Sequence, residues 1–185
     1  PIGGTDVVAY RFSLDGGAFG PETPIATLIT LTDLADGPHT VAVITRDDVG
    51  NEADAITASW TVDTITPTLT EVTPVATPSN NATPTVVITV ESAATWEILR
   101  GEAVLASGTG TGEAQSAQLS ALTDGIYTLT LSAKDFAGNS ASITLEPFVI
   151  DTASPTGLSL NGVPASPTNT TSATITVNAG NDVVF

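Results

Sequence analysis

Residues 122–134 read Leu-Thr-Asp-Gly-Ile-Tyr-Thr-Leu-Thr-Leu-Ser-Ala-Lys, and this stretch decides the fold. From Tyr127 to Lys134 apolar and polar side chains alternate, which predicts a β-strand with one buried face. The residues before it, from Leu122 to Tyr127, are typical of a corner at which a tyrosine phenol holds the crossover into the strand. In an earlier, similar stretch the same position is occupied by His39, the one histidine of the chain. We therefore predict that His39 is a structural substitute for the phenol.

The chain repeats itself with a period of 88 residues, the distance from Asp36 to Asp124. A fixed internal period indicates an array of similar units. We predict that residues 1–65 are the later strands (C to G) of one repeat, that 66–153 are a complete repeat, and that 154–185 are strands A and B of a third. Because the first and last repeats are incomplete, we expect this sequence to be a segment of a longer protein. The motifs that recur at this spacing are Asp36-Gly37 as Asp124-Gly125, Val62-Asp63-Thr64 as Ile150-Asp151-Thr152, and Asp47 with Gly50-Asn51 as Asp135 with Gly138-Asn139.

The complete repeat has the pattern of an antiparallel sandwich. Short alternating segments rich in β-branched residues are separated by turn signals at intervals of about 8–12 residues, and no stretch has a helical pattern. The predicted fold class is all-β, with tandem immunoglobulin-like (Greek-key) β-sandwich domains. Trp96 and the aromatic Tyr10, which lies near its repeat counterpart, are expected in the core, as are Trp60 and Phe148, which share one repeat position. The predicted strands are A within 68–74, B at 85–90, C at 96–100, one more at 103–107, E near 113–119, F at 126–134 and G at 140–150, with an interruption at Pro147.

Composition excludes several classes of partner. The 185 residues include 20 acidic and 4 basic side chains, which gives a net charge of −16, and the four basic residues are scattered. Binding to phosphate needs clustered lysine and arginine, so nucleic acid and anionic membranes are poor partners. No apolar run approaches the ~20 residues that span a bilayer, so we expect no membrane insertion in this segment. Cysteine is absent, so disulfides and thiolate metal sites are excluded.

Three segments resemble bacterial immunoglobulin-like repeats of large secreted or surface-anchored adhesins. They are Asp-Gly-Ile-Tyr-Thr-Leu-Thr at 124–130, Asp-Phe-Ala-Gly-Asn-Ser at 135–140 and Asp-Thr-Ala-Ser-Pro-Thr at 151–156. The resemblance implies a stalk that holds a binding domain away from the cell, and in several relatives calcium between domains stiffens that stalk. It also implies an extracellular location, at the bacterial cell surface. The chain departs from the family pattern at His39.

Acidic residues are predicted to converge where one repeat meets the next. In a tandem sandwich array the bottom of one unit faces the top of the following unit, and converging carboxylates repel each other unless a cation neutralises them. Calcium, which takes six to eight oxygen ligands, suits a flexible junction better than magnesium does. The alternative is ordinary turn chemistry, because Asp-Gly pairs and aspartates at strand ends are common in turns. The candidate calcium ligands are Asp36, Asp63, Glu91, Asp135 and Asn139 at the first junction and Asp124, Asp151 and Asp182 at the second.

Catalysis is not predicted. A serine–histidine–aspartate triad could use only His39, and the chain has no histidine cluster for zinc and no phosphate-binding loop. The leading hypothesis is a structural, non-catalytic segment of an extracellular stalk or fibre, whose partners are neighbouring repeats of the same chain. Two alternatives stay open. One is a filament in which copies of the chain complete each other by strand complementation, and the other is a module that binds a carbohydrate or protein ligand.

Overall fold

Alternating, β-branched segments form antiparallel strands throughout the computed structural model, which describes residues 7–180. No helix in this part of the chain is long and apolar enough to cross a membrane. The chain divides into two compact units, Pro1–Ile65 and Thr66–Phe185. The first unit is built around one four-stranded sheet in the order β2-β1-β3-β4. Its strands are β1 (Val7–Leu14), β2 (Thr23–Pro24), β3 (Gly37–Asp47) and β4 (Ile56–Val62).

A tight turn directs the chain out of β1. Asp15 and Gly16 both have positive φ, 52° and 73°, and Gly17 N donates to Leu14 O at 3.0 Å. Two successive residues with positive φ are the signature of a type I′ turn, which only glycine and short polar residues adopt at low cost. Behind this turn, Tyr10 is 5% exposed and its hydroxyl donates to Thr27 O at 2.9 Å, which confirms its predicted place in the interior.

The second unit contains two facing sheets of three and four strands, in the orders β5-β6-β9 and β12-β11-β7-β8, together with the strand pairs β10-β13 and β14-β15. This arrangement confirms the all-β, immunoglobulin-like sandwich. The strands are β5 (Leu69–Thr73), β6 (Thr85–Val90), β7 (Thr95–Arg100), β8 (Ala103–Thr109), β9 (Ala114–Gln118), β10 (Gly125–Tyr127), β11 (Thr130–Lys134), β12 (Ser140–Thr144), β13 (Phe148–Ile150), β14 (Ser159–Asn161) and β15 (Thr176–Asn178).

The core of the second unit lies between these two sheets. Ile88 on β6 faces Ile98 on β7 and Leu131 on β11, and all three are fully buried. Trp96 belongs to the same cluster at 7% exposure, as predicted. Burial of each large aliphatic side chain contributes on the order of 1.5–3 kcal/mol, so this alternation of buried and exposed residues is the main source of stability.

The predicted strands F and G are each broken in two, because one side of the hairpin between them carries an extra residue. β11 and β12 pair as far as Thr130 opposite Thr144. Pairing resumes with Tyr127 opposite Phe148, so between these two pairs the later strand contains one more residue than the earlier strand. The extra residue lies near Pro147, which has no N–H to donate. The freed N–H of Glu146 donates instead to Glu71 Oε2 at 2.8 Å. The interruption predicted in G is therefore confirmed, while the continuous strand F predicted at 126–134 is wrong.

The last described hairpin is amphipathic. Leu160 on β14 pairs with Val177 on β15, and Leu158 and Ile175 lie two residues away on the same face by the alternation of strand side chains. All four are at least half exposed, with exposures of 74% for Leu158, 55% for Leu160, 50% for Ile175 and 63% for Val177. The hairpin therefore presents an uncovered apolar face.

Candidate functional site

A tyrosine corner closes one end of the sandwich in the second unit. The Tyr127 hydroxyl donates to Thr123 O at 2.8 Å, and the ring is 2% exposed. The ring stacks on Phe148 with centroids 5.5 Å apart, and the Arg100 guanidinium lies over the ring at 4.4 Å from the centroid. These contacts fix the loop that precedes β10 to the strand that follows it.

His39 forms the same corner in the first unit. Its Nε2 lies 2.7 Å from Ala35 O, the position 88 residues before Thr123, and its ring lies 5.8 Å from that of Trp60. His39 and Trp60 are paired across β3 and β4 as Tyr127 and Phe148 are paired across β10 and β13. The structure therefore confirms that His39 substitutes for the phenol.

A second repeated contact holds a threonine that lies two residues after the end of β4 in the first unit and two residues after the end of β13 in the second. Thr64 donates its backbone N–H to Asp36 Oδ1 at 2.8 Å and its hydroxyl to the same oxygen at 2.9 Å. Thr152 does the same with Asp124 Oδ1, at 2.9 and 2.7 Å. The hydroxyl and N–H of Thr152 lower the pKa of Asp124 below its ordinary value, because both donors favour the ionised carboxylate. We call this pair of contacts the exit clamp.

Asp63 and Asp151 lie next to the exit clamp and form local turns. Asp63 Oδ1 accepts from Ile65 N at 3.1 Å, and Asp151 Oδ1 accepts from Ala153 N at the same distance. Asp151 also donates its backbone N–H to Ser79 O at 2.9 Å, which ties the end of β13 to the segment before β6. Asp36 and Asp63 therefore lie at the same end of the first unit, and Asp124 and Asp151 lie at the same end of the second.

At the opposite end of the second unit, Asp135 and Asn139 come together in the loop between β11 and β12. Asp135 Oδ1 accepts from Gly138 N at 2.7 Å and Asn139 N at 2.8 Å, while Asn139 Nδ2 donates to Asp135 Oδ2 at 2.9 Å. Burial by itself raises the pKa of Asp135, but these hydrogen bonds outweigh it and hold the pKa below its ordinary value of 3.8. Asp47 and Asn51 repeat the arrangement in the first unit.

Glu91 lies at this same end, directly after β6. Its Oε2 accepts from Thr68 N at 3.1 Å, and its backbone N–H donates to Thr68 O at 2.9 Å. Its carboxylate therefore secures the start of the second unit. Asp182, the remaining predicted ligand, lies outside the described residues.

The ligand number of calcium can be compared with the acidic groups that the described residues bring together. Calcium takes six to eight oxygen ligands. Among residues 7–180 no three acidic, histidine or cysteine side chains form a group that could hold a metal ion. The described carboxylates among the predicted ligands accept hydrogen bonds from backbone N–H groups, from threonine hydroxyls or, at Asp135, from the Asn139 amide, which is the chemistry expected of turns. Calcium shared between two units stays a prediction.

Sequence reasoning missed three partners of these groups. Thr64 and Thr152 follow Asp63 and Asp151 at the repeat spacing, so the Asp-Thr pairs were a readable signal for the exit clamp. Asp15, whose Oδ2 lies 2.8 Å from His39 Nδ1, had no such signal beyond its place in an Asp-Gly-Gly turn.

A groove is lined by residues of all four strands of the four-stranded sheet. Hydroxyl groups of serine and threonine line it, together with the single charges of Glu97 and Lys134. Trp96 borders the groove but is 7% exposed, because its indole faces inward. The lining therefore offers no aromatic platform of the kind on which a sugar ring stacks.

Comparison with known proteins agrees with this architecture. Residues 75–152 match the family model described as a bacterial Ig-like domain, a span that contains the strands from β6 to β13. The match supports a non-catalytic immunoglobulin-like module in this part of the chain. No curated protein matches the sequence.

Proposed function

We propose that this chain, with its bacterial immunoglobulin-like module at 75–152, is a structural segment of an extracellular repeat protein. It acts as a semi-rigid stalk or fibre at the bacterial cell surface and contributes spacing and stiffness to adhesion. The observation that carries this proposal is the recurrence of the exit clamp, Asp36 with Thr64 and Asp124 with Thr152, at the repeat spacing.

The clamp supports stiffness through geometry. Two hydrogen bonds from one threonine fix both the backbone and the side chain of the second residue after the last strand, so the chain leaves each unit in a defined direction. Hydrogen bonds to a charged acceptor are stronger than neutral ones. For these exposed groups solvent weakens the interaction, and the contribution lies in direction more than in energy.

Spin-label distances between the units test the proposal. The absence of cysteine allows two labels to be placed without background, at the exposed positions Thr57 and Ser142. We expect a narrow distance distribution, and a broader one when Thr64→Val removes the clamp hydroxyl while the far-ultraviolet spectrum stays unchanged. Thr61→Val, an exposed position on β4, is the matched control. A broad distribution in the unmodified chain would rule out a semi-rigid stalk.

Interdomain calcium is the finer part of this proposal. An ion would need oxygens from both sides of a junction, with Asp36 and Asp63 on one side and Glu91, Asp135 and Asn139 on the other. The net charge of −16 and the repeated acidic positions support it. Extracellular modules of this type bind calcium at about 10⁻⁴–10⁻³ M.

Small-angle scattering with calcium and then with excess chelator tests this part separately. Bound calcium should lower the flexibility between the two units, and the radius of gyration should change reversibly when calcium is added and removed. Asp63→Asn should abolish the response, whereas Asp54→Asn, an exposed acid outside the predicted ligands, should leave it intact. A profile that does not change with calcium would reduce the acidic positions to turn chemistry and leave the stalk proposal standing.

A second candidate function is a filament in which copies of the chain complete each other. The amphipathic hairpin β14-β15 favours it, because its apolar face is uncovered. In the second unit β6 carries the same kind of face, and Val86, Ile88 and Val90 are buried there against the four-stranded sheet. By analogy, the apolar face of the β14-β15 hairpin in one copy would pack on a four-stranded sheet of another copy.

Sedimentation at increasing concentration tests this candidate. We expect association of the unmodified chain that Leu160→Asp abolishes, while Ser159→Asp, on the opposite face of the same strand, leaves it unchanged. A chain that stays monomeric up to about 100 μM, where interfaces of standard size are already occupied, would remove the filament candidate.

A further inference from the structure

The corner of the first unit contains an ionisable group where the corner of the second unit has a phenol. His39 is 8% exposed and has a partner on each ring nitrogen. Nε2 lies 2.7 Å from the carbonyl oxygen of Ala35, and Nδ1 lies 2.8 Å from Oδ2 of Asp15. The ring thus joins the loop before β3 to the turn after β1.

The two partners of the imidazole are both acceptors. A carbonyl oxygen and a carboxylate cannot donate a hydrogen bond, and a neutral imidazole carries a single N–H. The neutral ring can therefore satisfy one partner and must leave the other facing a lone pair. The imidazolium donates to both partners at once, so the observed geometry fits the protonated ring.

Asp15 is held in position independently of the histidine. Its Oδ1 accepts from Thr40 N at 2.8 Å, and its own backbone N–H donates to Thr40 O at 2.8 Å. The carboxylate cannot turn away from the ring without loss of the bond from Thr40 N. In a deprotonated His39, one ring nitrogen has no proton, and its lone pair would face the oxygen of Asp15 or of Ala35.

The surroundings of His39 offer no compensating cation among the described residues. Asp15 supplies the charge from the turn after β1, Trp60 packs on the ring from β4, and the loop before β3 contributes the Ala35 carbonyl. The neighbouring carboxylate of Asp36 is bonded to Thr64. The bond to Ala35 O, followed by the bond to Asp15, raises the pKa of His39 above its ordinary value of 6.5.

We infer that the corner of the first unit is a proton-dependent lock, closed when His39 is an imidazolium and loosened when it is neutral. The Tyr127 corner of the second unit donates from a neutral hydroxyl and needs no charge. One unit of the chain therefore responds to pH near neutrality and the other does not.

The sign of the effect follows from linkage. Because the folded-state pKa of His39 is raised, its contribution to stability is complete below pH 6.5 and is lost as the pH rises through the folded value. The pKa of Asp15 is lowered from 3.8, first by the Thr40 N–H and then by His39, so its contribution is lost as the pH falls through that lower value. The first unit should be most stable between these limits.

Each unit contains one tryptophan, so unfolding of the two units can be followed separately. Trp96→Phe leaves Trp60 as the reporter of the first unit, and Trp60→Phe leaves Trp96 as the reporter of the second. We expect the denaturant midpoint reported by Trp60 to fall between pH 5.5 and pH 8.5, while the midpoint reported by Trp96 stays constant. A tenfold difference in proton affinity between folded and unfolded states would raise the unfolding constant of the first unit about tenfold.

The matched variant is His39→Tyr, which places the corner residue of the second unit in the first and should remove the pH dependence. Because this variant could fail to fold, the resonance of the one histidine in the unmodified chain provides an independent measurement. A titration midpoint above 6.5 supports the lock. A midpoint at or below 6.5, a constant Trp60 midpoint, or pH dependence that persists in His39→Tyr would overturn it.

Discussion

Replacement of Tyr127 by phenylalanine removes the hydroxyl of the corner in the second unit and leaves the ring in place. The phenyl ring can keep the stack on Phe148 and the contact with the Arg100 guanidinium, because both involve the ring and not the hydroxyl. What is lost is the bond from the hydroxyl to Thr123 O at 2.8 Å, together with the longer contact, 3.3 Å, with the Thr123 hydroxyl. The substitution is therefore a measure of the corner itself.

The magnitude follows from the surroundings of the two partners. Loss of a neutral hydrogen bond costs about 0.5–1.5 kcal/mol, and about 1–3 kcal/mol when the remaining partner is buried and unsatisfied. Tyr127 is 2% exposed, but Thr123 is an exposed residue whose carbonyl can take up water. We therefore expect a loss of about 1–1.5 kcal/mol, which corresponds to a fall in Tm of roughly 4–12 °C for a domain of this size.

The assay is denaturant and thermal unfolding in a Trp60→Phe background, in which Trp96 reports on the second unit alone. Thr123→Ala is the matched control, because it removes only a hydroxyl that lies 3.3 Å from the Tyr127 oxygen on an exposed residue. The control should lose less than about 0.5 kcal/mol. A loss below that level in Tyr127→Phe would refute the corner as a stabilising element.

Three further changes probe the core, the sheet and the loop of the second unit. Leu131→Ala, at a fully buried site, should cost about 2–5 kcal/mol in unfolding free energy by calorimetry, and a cost near zero would contradict the assigned core. Gly108→Ala should cost about 1–3 kcal/mol, since the added Cβ would meet the Trp96 ring at 2.7 Å, and an unchanged Trp96 emission spectrum would argue against that contact. The loop that Asp135 holds through Asn139 should open in acid: because the folded-state pKa of Asp135 is lowered, its contribution is present above pH 3.8 and lost as the pH falls through the lower folded value. Amide exchange at Asn139 should follow that pH, and Asp135→Asn should remove the dependence.

The repeat and the class of fold could be predicted from local patterns. Alternation of apolar and polar residues identifies a half-buried strand without knowledge of its partner, so β6, β7 and the strands around them lie where the pattern places them. The corner was equally readable, because Asp-Gly followed by Tyr127 or His39 recurs at one spacing. Strand F was misjudged, since the break near Leu129 is caused by the extra residue beside Pro147 on the opposite strand.

By itself the sequence determined the succession of strands along the chain, the 88-residue repeat and the identity of the residues at each end of a unit, because these depend on periodicity and on residue type. Tertiary structure alone decided which groups these residues touch. The Asp36 carboxylate meets Thr64, 28 residues away, and the His39 ring meets Asp15, 24 residues away. Such contacts depend on strand register and on the path of two loops, and local propensity contains no information about either. For the same reason, whether an acidic residue serves a turn, a clamp or an ion depends on what the fold brings within hydrogen-bond distance.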